Sequence, residues 1–324
     1  MGAGEEGGDE LRGVILAVRR GSTVVHAEGG PADAHTGLAC TADTRFAVAS
    51  VSKQFTAAAV LLLVERVALA LDDPLSCWFG QGPGWWGEVT VEHLLTHTSG
   101  LGHWDDVGGL ERFCALGVDE RLAAVQAMTP HAAPGQRWTY SGPGYLLLGH
   151  LVERVDNRSY GAFLQAEIFS PLGMAATSSG PPPSGELTAR GHHDGTRVPP
   201  LDVAALPGTG DVWSTAADLA RYSSALRAGQ LLTPGSRQAL TTPRASLGDE
   251  AYSFDVIEAH SYGYGYFIGR LNGRPASFHP GDNPGYQSFS ASIPDADTCI
   301  VVLLNDDTPD LRQIVNTLAR TVLA

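Results

Sequence analysis

The chain has 324 residues and a formal charge of −14, from 35 acidic and 21 basic side chains. Such an excess of anion excludes a nucleic-acid or anionic-membrane surface, since either needs clustered cation. A content of 43% hydrophobic and 17% charged residues excludes a disordered chain and leaves a core able to hold a pocket, in one large domain or two smaller ones.

The first residues, MGAGEEGGDE, are acidic and glycine-rich where a secretory signal is basic and then apolar. The longest apolar run, Ala57 to Val64, is too short to span a bilayer and reads as a buried helix. Cys40, Cys77, Cys114 and Cys299 lie far apart without C-x-x-C spacing. The expectation is a cytoplasmic protein with free thiols, with one long-range disulfide left open.

In chain order, Gly13 to Glu28 alternates apolar residues around Arg20-Gly21-Ser22 and reads as a β-hairpin. Phe46 to Leu71 is apolar nearly all round, which predicts a central helix packed on several sides. Between Asp72 and Pro200 come short helical patterns at Val91 to Leu95, Arg121 to Met128, Tyr145 to Val155 and Tyr160 to Phe169, broken by glycine and proline. Pro181-Pro182-Pro183 predicts an extended surface loop. Ser214 to Ala228 predicts a helix capped by Ser214 or Thr215, with Asp218 completing a capping box. Tyr262 to Arg270, Pro275 to Phe278, Tyr286 to Ile293 and Thr298 to Leu304 read as strands with turns at Asn272-Gly273 and Pro294-Asp295, and Asp310 to Val322 as an amphipathic helix. Strands at both ends with helices between predict an α/β sheet domain built from residues 1–75 and 205–324, carrying a helical insertion at 76–204.

Twenty of the 21 basic residues are arginine; the one lysine is Lys53, three residues after Ser50 in Ser50-Val51-Ser52-Lys53. Residues three apart share a helix face, so hydroxyl and amine can meet. Of the two basic side chains only lysine loses its proton when buried, so a neutral Lys53 can take the Ser50 proton and leave a nucleophile. Alone the S-x-x-K spacing is a weak signal. It keeps company with Trp138-Thr139-Tyr140-Ser141-Gly142-Pro143-Gly144-Tyr145 and with His279-Pro280-Gly281. Supporting stretches are His93 to Leu101, before the second of these, and Ser214 to Ala220 and Tyr262-Gly263-Tyr264-Gly265, before the third. In order and spacing these resemble the motifs of the serine β-lactamase and penicillin-binding-protein superfamily, especially its class C-like serine hydrolases. The resemblance runs collinearly from about Gly13 to the C-terminus.

The resemblance implies a central antiparallel sheet flanked by helices with an all-helical insertion domain. It implies that Ser50 is acylated, that Lys53 accepts its proton, and that Tyr140 passes protons as a phenol coupled to the Lys53 cation. It places an oxyanion hole at the backbone N–H groups of Ser50 and Asp282, and a third-motif role on His279 and Gly281. Each has a plainer alternative: Tyr140 as a packing aromatic, His279 as an edge-strand histidine. His93 and His97 have the spacing of a zinc helix, but no Glu follows the first and no third ligand is evident, so no metal and no cofactor are expected. His192-His193-Asp194 is read as a solvated loop.

Two departures bear on substrate. Gly142 stands where many relatives have asparagine, which removes an amide contact to an acyl-amide side chain. His279 stands where relatives have lysine, which weakens any clamp on a substrate carboxylate. Asp282 adds an acid beside the oxyanion site. Uncharged or cationic small esters and amides are therefore expected, with a rim of Trp104 and Trp213, with Trp85 and Trp86 read equally as extending the rim or as core, and with polar contacts from His103, Asp105 and Asp106. Hydrolysis, transfer of the acyl group to an amine or alcohol acceptor in small-metabolite tailoring, and a non-catalytic binding role are the three functions considered. Peptidoglycan or β-lactam chemistry ranks below the first two. The sequence does not fix the oligomeric state.

Overall fold

The computed structural model describes residues 12–19, 21–80, 82–185 and 187–324. The acidic start of the chain and Arg20 of the expected turn lie outside them. Strands β1 (Gly13–Arg19) and β2 (Ser22–Gly29) form the expected hairpin. From the other end of the chain come β3 (Ile257–Tyr262), β4 (Phe267–Leu271), β5 (Arg274–Asn283), β6 (Tyr286–Ile293) and β7 (Thr298–Leu304). With Ala245–Ser246 and Tyr252–Phe254 at one edge, the described residues build a nine-stranded antiparallel sheet in the order β3-β4-β5-β6-β7-β1-β2. The β1–β7 pairing, with Leu16 opposite Val301, closes the two chain ends into one sheet.

All seven residues of β7 are buried, because both faces of the sheet are covered. Ile300, Val302 and Leu304 face the C-terminal helix (Leu311–Val322) through Val315 and Leu318; Val301 and Leu303 face the opposite core. That second core is centred on α1 (Ser52–Glu65), followed in the chain by α2 (Gly142–Asp156), α3 (Ala216–Arg227) and α4 (Pro234–Thr241). Residues Ser52 to Leu63 of α1 are all buried. Phe55 packs against Phe169 and Tyr222, at ring-centroid distances of 5.3 and 4.4 Å. Thr56 Oγ1 donates to the Gly208 carbonyl at 2.6 Å. Helices dominate residues 76–204, with two-residue strands at Ser178–Ser179, His192–His193 and Thr196–Arg197.

The structure corrects several sequence expectations. Phe46 to Leu71 is not one helix: a short strand (Phe46–Ala47) and a tight turn precede α1. Tyr262 to Arg270 is not one strand, since Gly265 turns the chain at φ +76°, where its backbone lies against Lys53; a Cβ there would sit 2.7 Å from the Lys53 carbonyl oxygen. Thr215 caps α3, but the Asp218 carboxylate makes no capping box, because it accepts instead from Thr177 Oγ1 at 2.8 Å and Ala176 N–H at 3.0 Å. His192 is fully buried, donating from Nδ1 to the Asn305 carbonyl and accepting from Ala34 N–H, so this segment is not a solvated loop. The four cysteines are free thiols. Among the described residues no helix is long and apolar enough to cross a membrane.

Phe55→Ala removes a fully buried ring from the centre of α1. It is expected to cost about 3–5 kcal/mol of unfolding free energy, read as a lower urea midpoint at unchanged slope.

Candidate active site

The chain reaches α1 through a strained turn. Ala49 holds φ +46°, a conformation that costs a non-glycine residue about 1–3 kcal/mol. Three bonds hold it: Val48 N–H to the Val212 carbonyl (2.9 Å), Ser288 Oγ to the Val48 carbonyl (2.7 Å), and Val212 N–H to Ser52 Oγ (3.1 Å). The turn delivers Ser50 at the head of α1, one helical step from Lys53. Lys53 Nζ donates to Ser50 Oγ at 2.9 Å and to the Thr209 carbonyl at 2.9 Å.

Lys53 is 1% exposed and forms no salt bridge among the described residues. Burial lowers its pKa to about 7, with Asp211 pulling the other way. Asp211 is itself buried, accepting from Gly208 N–H at 3.2 Å and from Ser179 Oγ, and burial raises its pKa to about 7. No pattern in the sequence marked this aspartate, because its importance lies in being dry and near the amine.

Tyr140 arrives on the segment before α2. Thr139 N–H donates to the His97 carbonyl (2.8 Å) and Ser141 N–H to His97 Nδ1 (3.1 Å), while Ser141 Oγ caps α2 by accepting from Gly144 N–H at 3.0 Å. Lys53 Nζ lies 5.0 Å from the Tyr140 ring centroid. Burial pushes the Tyr140 phenol well above its usual range, against a smaller lowering pull from Ser50. Tyr140 is thereby held as a neutral phenol beside the amine, and the acid that acts on Lys53 is Asp211.

His279, 1% exposed, accepts at Nε2 from the Tyr262 hydroxyl (3.0 Å) and donates from Nδ1 to the Pro280 carbonyl (2.5 Å). Burial, then Lys53, lowers its pKa to about 3. It is neutral, and neither nitrogen is free for a substrate carboxylate. Next on β5, Gly281 lies against the Ser50 turn: a Cβ would stand 2.6 Å from the Val48 carbonyl oxygen and 3.0 Å from Ser50 N. The missing side chain thus brings β5 and the head of α1 together, with Asp282 following. Desolvation within the cleft, then the neighbouring Asp307, raises the Asp282 pKa.

Ser50, His103, Asp282 and Asp307 are shared by two adjoining cavities of about 650 and 440 Å³. The larger is also walled by Trp138, Tyr140, Tyr252 and Phe267, with Asp310 and Arg312 at its mouth; Trp104 lines the smaller. Arg312 is engaged by Asp310, 3.5 Å away, and by the Phe254 ring. Gly142 has a steric reason: a Cβ would lie 2.4 Å from the Trp104 ring and 2.9 Å from that of His103, whose Nδ1 accepts from Gly142 N–H at 3.1 Å. Burial, then Lys53, lowers the His103 pKa to about 4.

Trp213 does not belong to the rim: it is 3% exposed, packed edge-on to Tyr286 behind the short Phe46–Ala47 strand. Trp86 is core, and Asp106 is paired with His131 at 2.8 Å. His97 falls beyond the end of the Val91–Leu95 helix, so it shares no helix face with His93, and the described residues hold no cluster able to bind a metal. The aromatic and acidic walls from Tyr252, Phe267 and Asp307 to Arg312 went unread in the sequence, where Asp306-Asp307 and Asp310 gave the only hint.

A serine at the head of a buried helix, bonded to a dry lysine and set against an inner strand of an antiparallel sheet, marks a serine hydrolase. The family model described as Beta-lactamase matches residues 4–324, and the chain belongs to that family. Penicillin-binding protein 4* of Bacillus subtilis (strain 168) is 27% identical over 329 residues, covering 92% of this chain and 69% of the relative. Esterase EstB of Burkholderia gladioli is 36% identical over 177 residues, covering 50% of this chain and 45% of EstB. The crystal structure of a penicillin binding protein from Bacillus halodurans superposes with a TM-score of 0.81 at 28% identity, covering 97% of this chain and 96% of the other.

Restoring the amide with Gly142→Asn is expected to displace the Trp104 ring and lower turnover of small esters at least tenfold. Steady-state kinetics and tryptophan emission read the two effects.

Proposed function

We propose that the protein hydrolyses small uncharged or cationic esters or amides through an acyl-Ser50 intermediate. The site lies between the sheet domain (1–75 and 205–324) and the helical insertion (76–204). The observation that carries this reading is the 2.9 Å bond between Ser50 Oγ and an amine that burial leaves half-deprotonated near neutral pH. Neutral Lys53 takes the Ser50 proton as Oγ attacks the carbonyl carbon. The developing oxyanion is met by the backbone N–H groups of Ser50 and Asp282. The Tyr140 phenol hands a proton to the leaving alkoxide or amine and is reprotonated from the Lys53 ammonium. A water then attacks the acyl carbon by the reverse relay, releasing the carboxylic acid and free Ser50.

In this reading His279 is a positioning residue that holds β5 through Tyr262. Substrate preference rests on the mouth: Asp282, Asp307 and Asp310 face a single arginine already engaged by Asp310, which disfavours carboxylate substrates. Likeness to an esterase over half the chain supports the ester class. Transfer of the acyl group to an amine or alcohol uses the same intermediate and differs only in which nucleophile reaches it.

The direct test is intact-mass detection of an acyl adduct with a panel of small esters, run with and without amines. One adduct at Ser50, absent in Ser50→Ala along with fluorophosphonate labelling, is expected; labelling that persists in Ser50→Ala removes the assignment. Acid as the sole product across the amine panel identifies a hydrolase, and an amide product identifies a transferase.

The pH profile tests the base. The folded-state pKa of Lys53 is depressed, so the reactive neutral amine accumulates as pH rises through about 7, and kcat/KM is expected to climb there and level off. Asp211 favours the ammonium, so Asp211→Asn is expected to move that limb to lower pH. Lys53→Arg, which keeps the charge but not the removable proton, is expected to lose about 100-fold or more in kcat.

A further inference from the structure

A second cavity, of about 620 Å³, lies on the α1 side of the sheet and shares no lining residue with the cavities at Ser50. Its floor is the face of β4, β5 and β6, and its walls are α3 and α4. The volume is in the range of small-molecule sites, which bury a ligand body against apolar walls with a few fixed polar groups.

The polar groups here have one sign. Arg227 and Arg237 line the cavity, and no aspartate or glutamate does, in a chain whose acids outnumber its bases 35 to 21. Arg237 spends one nitrogen on the carbonyls of Leu226 and Arg227, at 3.5 and 3.2 Å, which fixes the guanidinium at the end of α3. It has no acidic partner among the described residues. Arg227 holds Ser223 and Ser292 and reaches only the exposed Asp297, at 3.4 Å. Gln54, 2% exposed, also lines the cavity, and its amide Nε2 finds no acceptor among the described residues. A buried amide donor without an acceptor carries a desolvation cost that a ligand oxygen would relieve. Against these donors stand Leu226, Leu240, Ile268, Pro275 and Pro294.

We propose that this cavity binds a small amphiphilic carboxylate, its head on Arg237 and Gln54 and its aliphatic body along the sheet face. A guanidinium fork pairs a planar carboxylate bidentately, and the apolar walls accept a chain. This site stands independently of the chemistry at Ser50.

The test is calorimetric titration of octanoate, with octanol as the uncharged control, into the wild-type chain and three variants. One equivalent of octanoate is expected to bind, with octanol at least tenfold weaker. Arg237→Gln is expected to weaken octanoate at least tenfold, and Ile268→Trp, which fills the cavity, to abolish binding. Ser50→Ala is expected to leave it unchanged. Arg237→Gln lies outside the hydrolytic site, so unaltered ester turnover and urea midpoint certify its fold, and it carries the test alone if Ile268→Trp does not fold. Absence of binding at millimolar octanoate, equal affinity for octanol, indifference to Arg237→Gln, or loss of binding in Ser50→Ala each overturns the proposal. None of these outcomes bears on acyl transfer at Ser50.

Discussion

The structure is organised around one dry amine. An ammonium taken out of water without a paired carboxylate is so unfavourable that the group gives up its proton instead. Lys53 is in that position, 1% exposed, with only a hydroxyl and a carbonyl to receive its hydrogens. Its neighbours obey the same constraint: His97, His103 and His279 are all held below their ordinary pKa, each in part by Lys53 itself. Further positive charge is thereby kept from the histidines around the amine. Asp211 sets the opposite limit, close enough to favour the ammonium yet too distant to pin it as a salt bridge. An amine poised near pH 7 is the balance of these terms, and the strained Ala49 turn brings the hydroxyl to it.

What the sequence made legible were local patterns with a single physical cause. The runs Tyr286–Ile293 and Thr298–Leu304 were read to the residue, because short runs whose apolar residues alternate or continue between turn signals have few other uses. Val91–Leu95 was found for the same reason, its Thr90 cap preceding a short apolar turn. The Ser50 and Lys53 spacing was visible because lysine is otherwise absent. Tyr140, Gly142 and Gly281 came from resemblance, and their reasons emerged only in three dimensions: Gly142 makes room for Trp104, and Gly281 lets β5 touch the Ser50 turn.

The misses share a different cause. Trp213 looked like a rim aromatic because tryptophan before a Ser-Thr pair has no directional signal, and its short strand turns it inward. Asp211 and His192 are polar residues in polar stretches; their burial depends on segments more than 100 positions away, such as Asn305 for His192. Ile257–Tyr262 was overlooked because only its pairing with β4 distinguishes it from a loop. At Tyr140 desolvation outweighs proximity to a cation, and sequence reports only the second.

The buried position of Lys53 also shapes what the rest of the molecule exposes. Every other basic side chain is arginine, whose guanidinium is protonated at any pH the protein meets and is a poor nucleophile. The molecular surface therefore presents no lysine amine to an electrophile. An acylating electrophile that reaches this surface finds hydroxyls and water there, and the one lysine amine of the chain is withheld from it by burial.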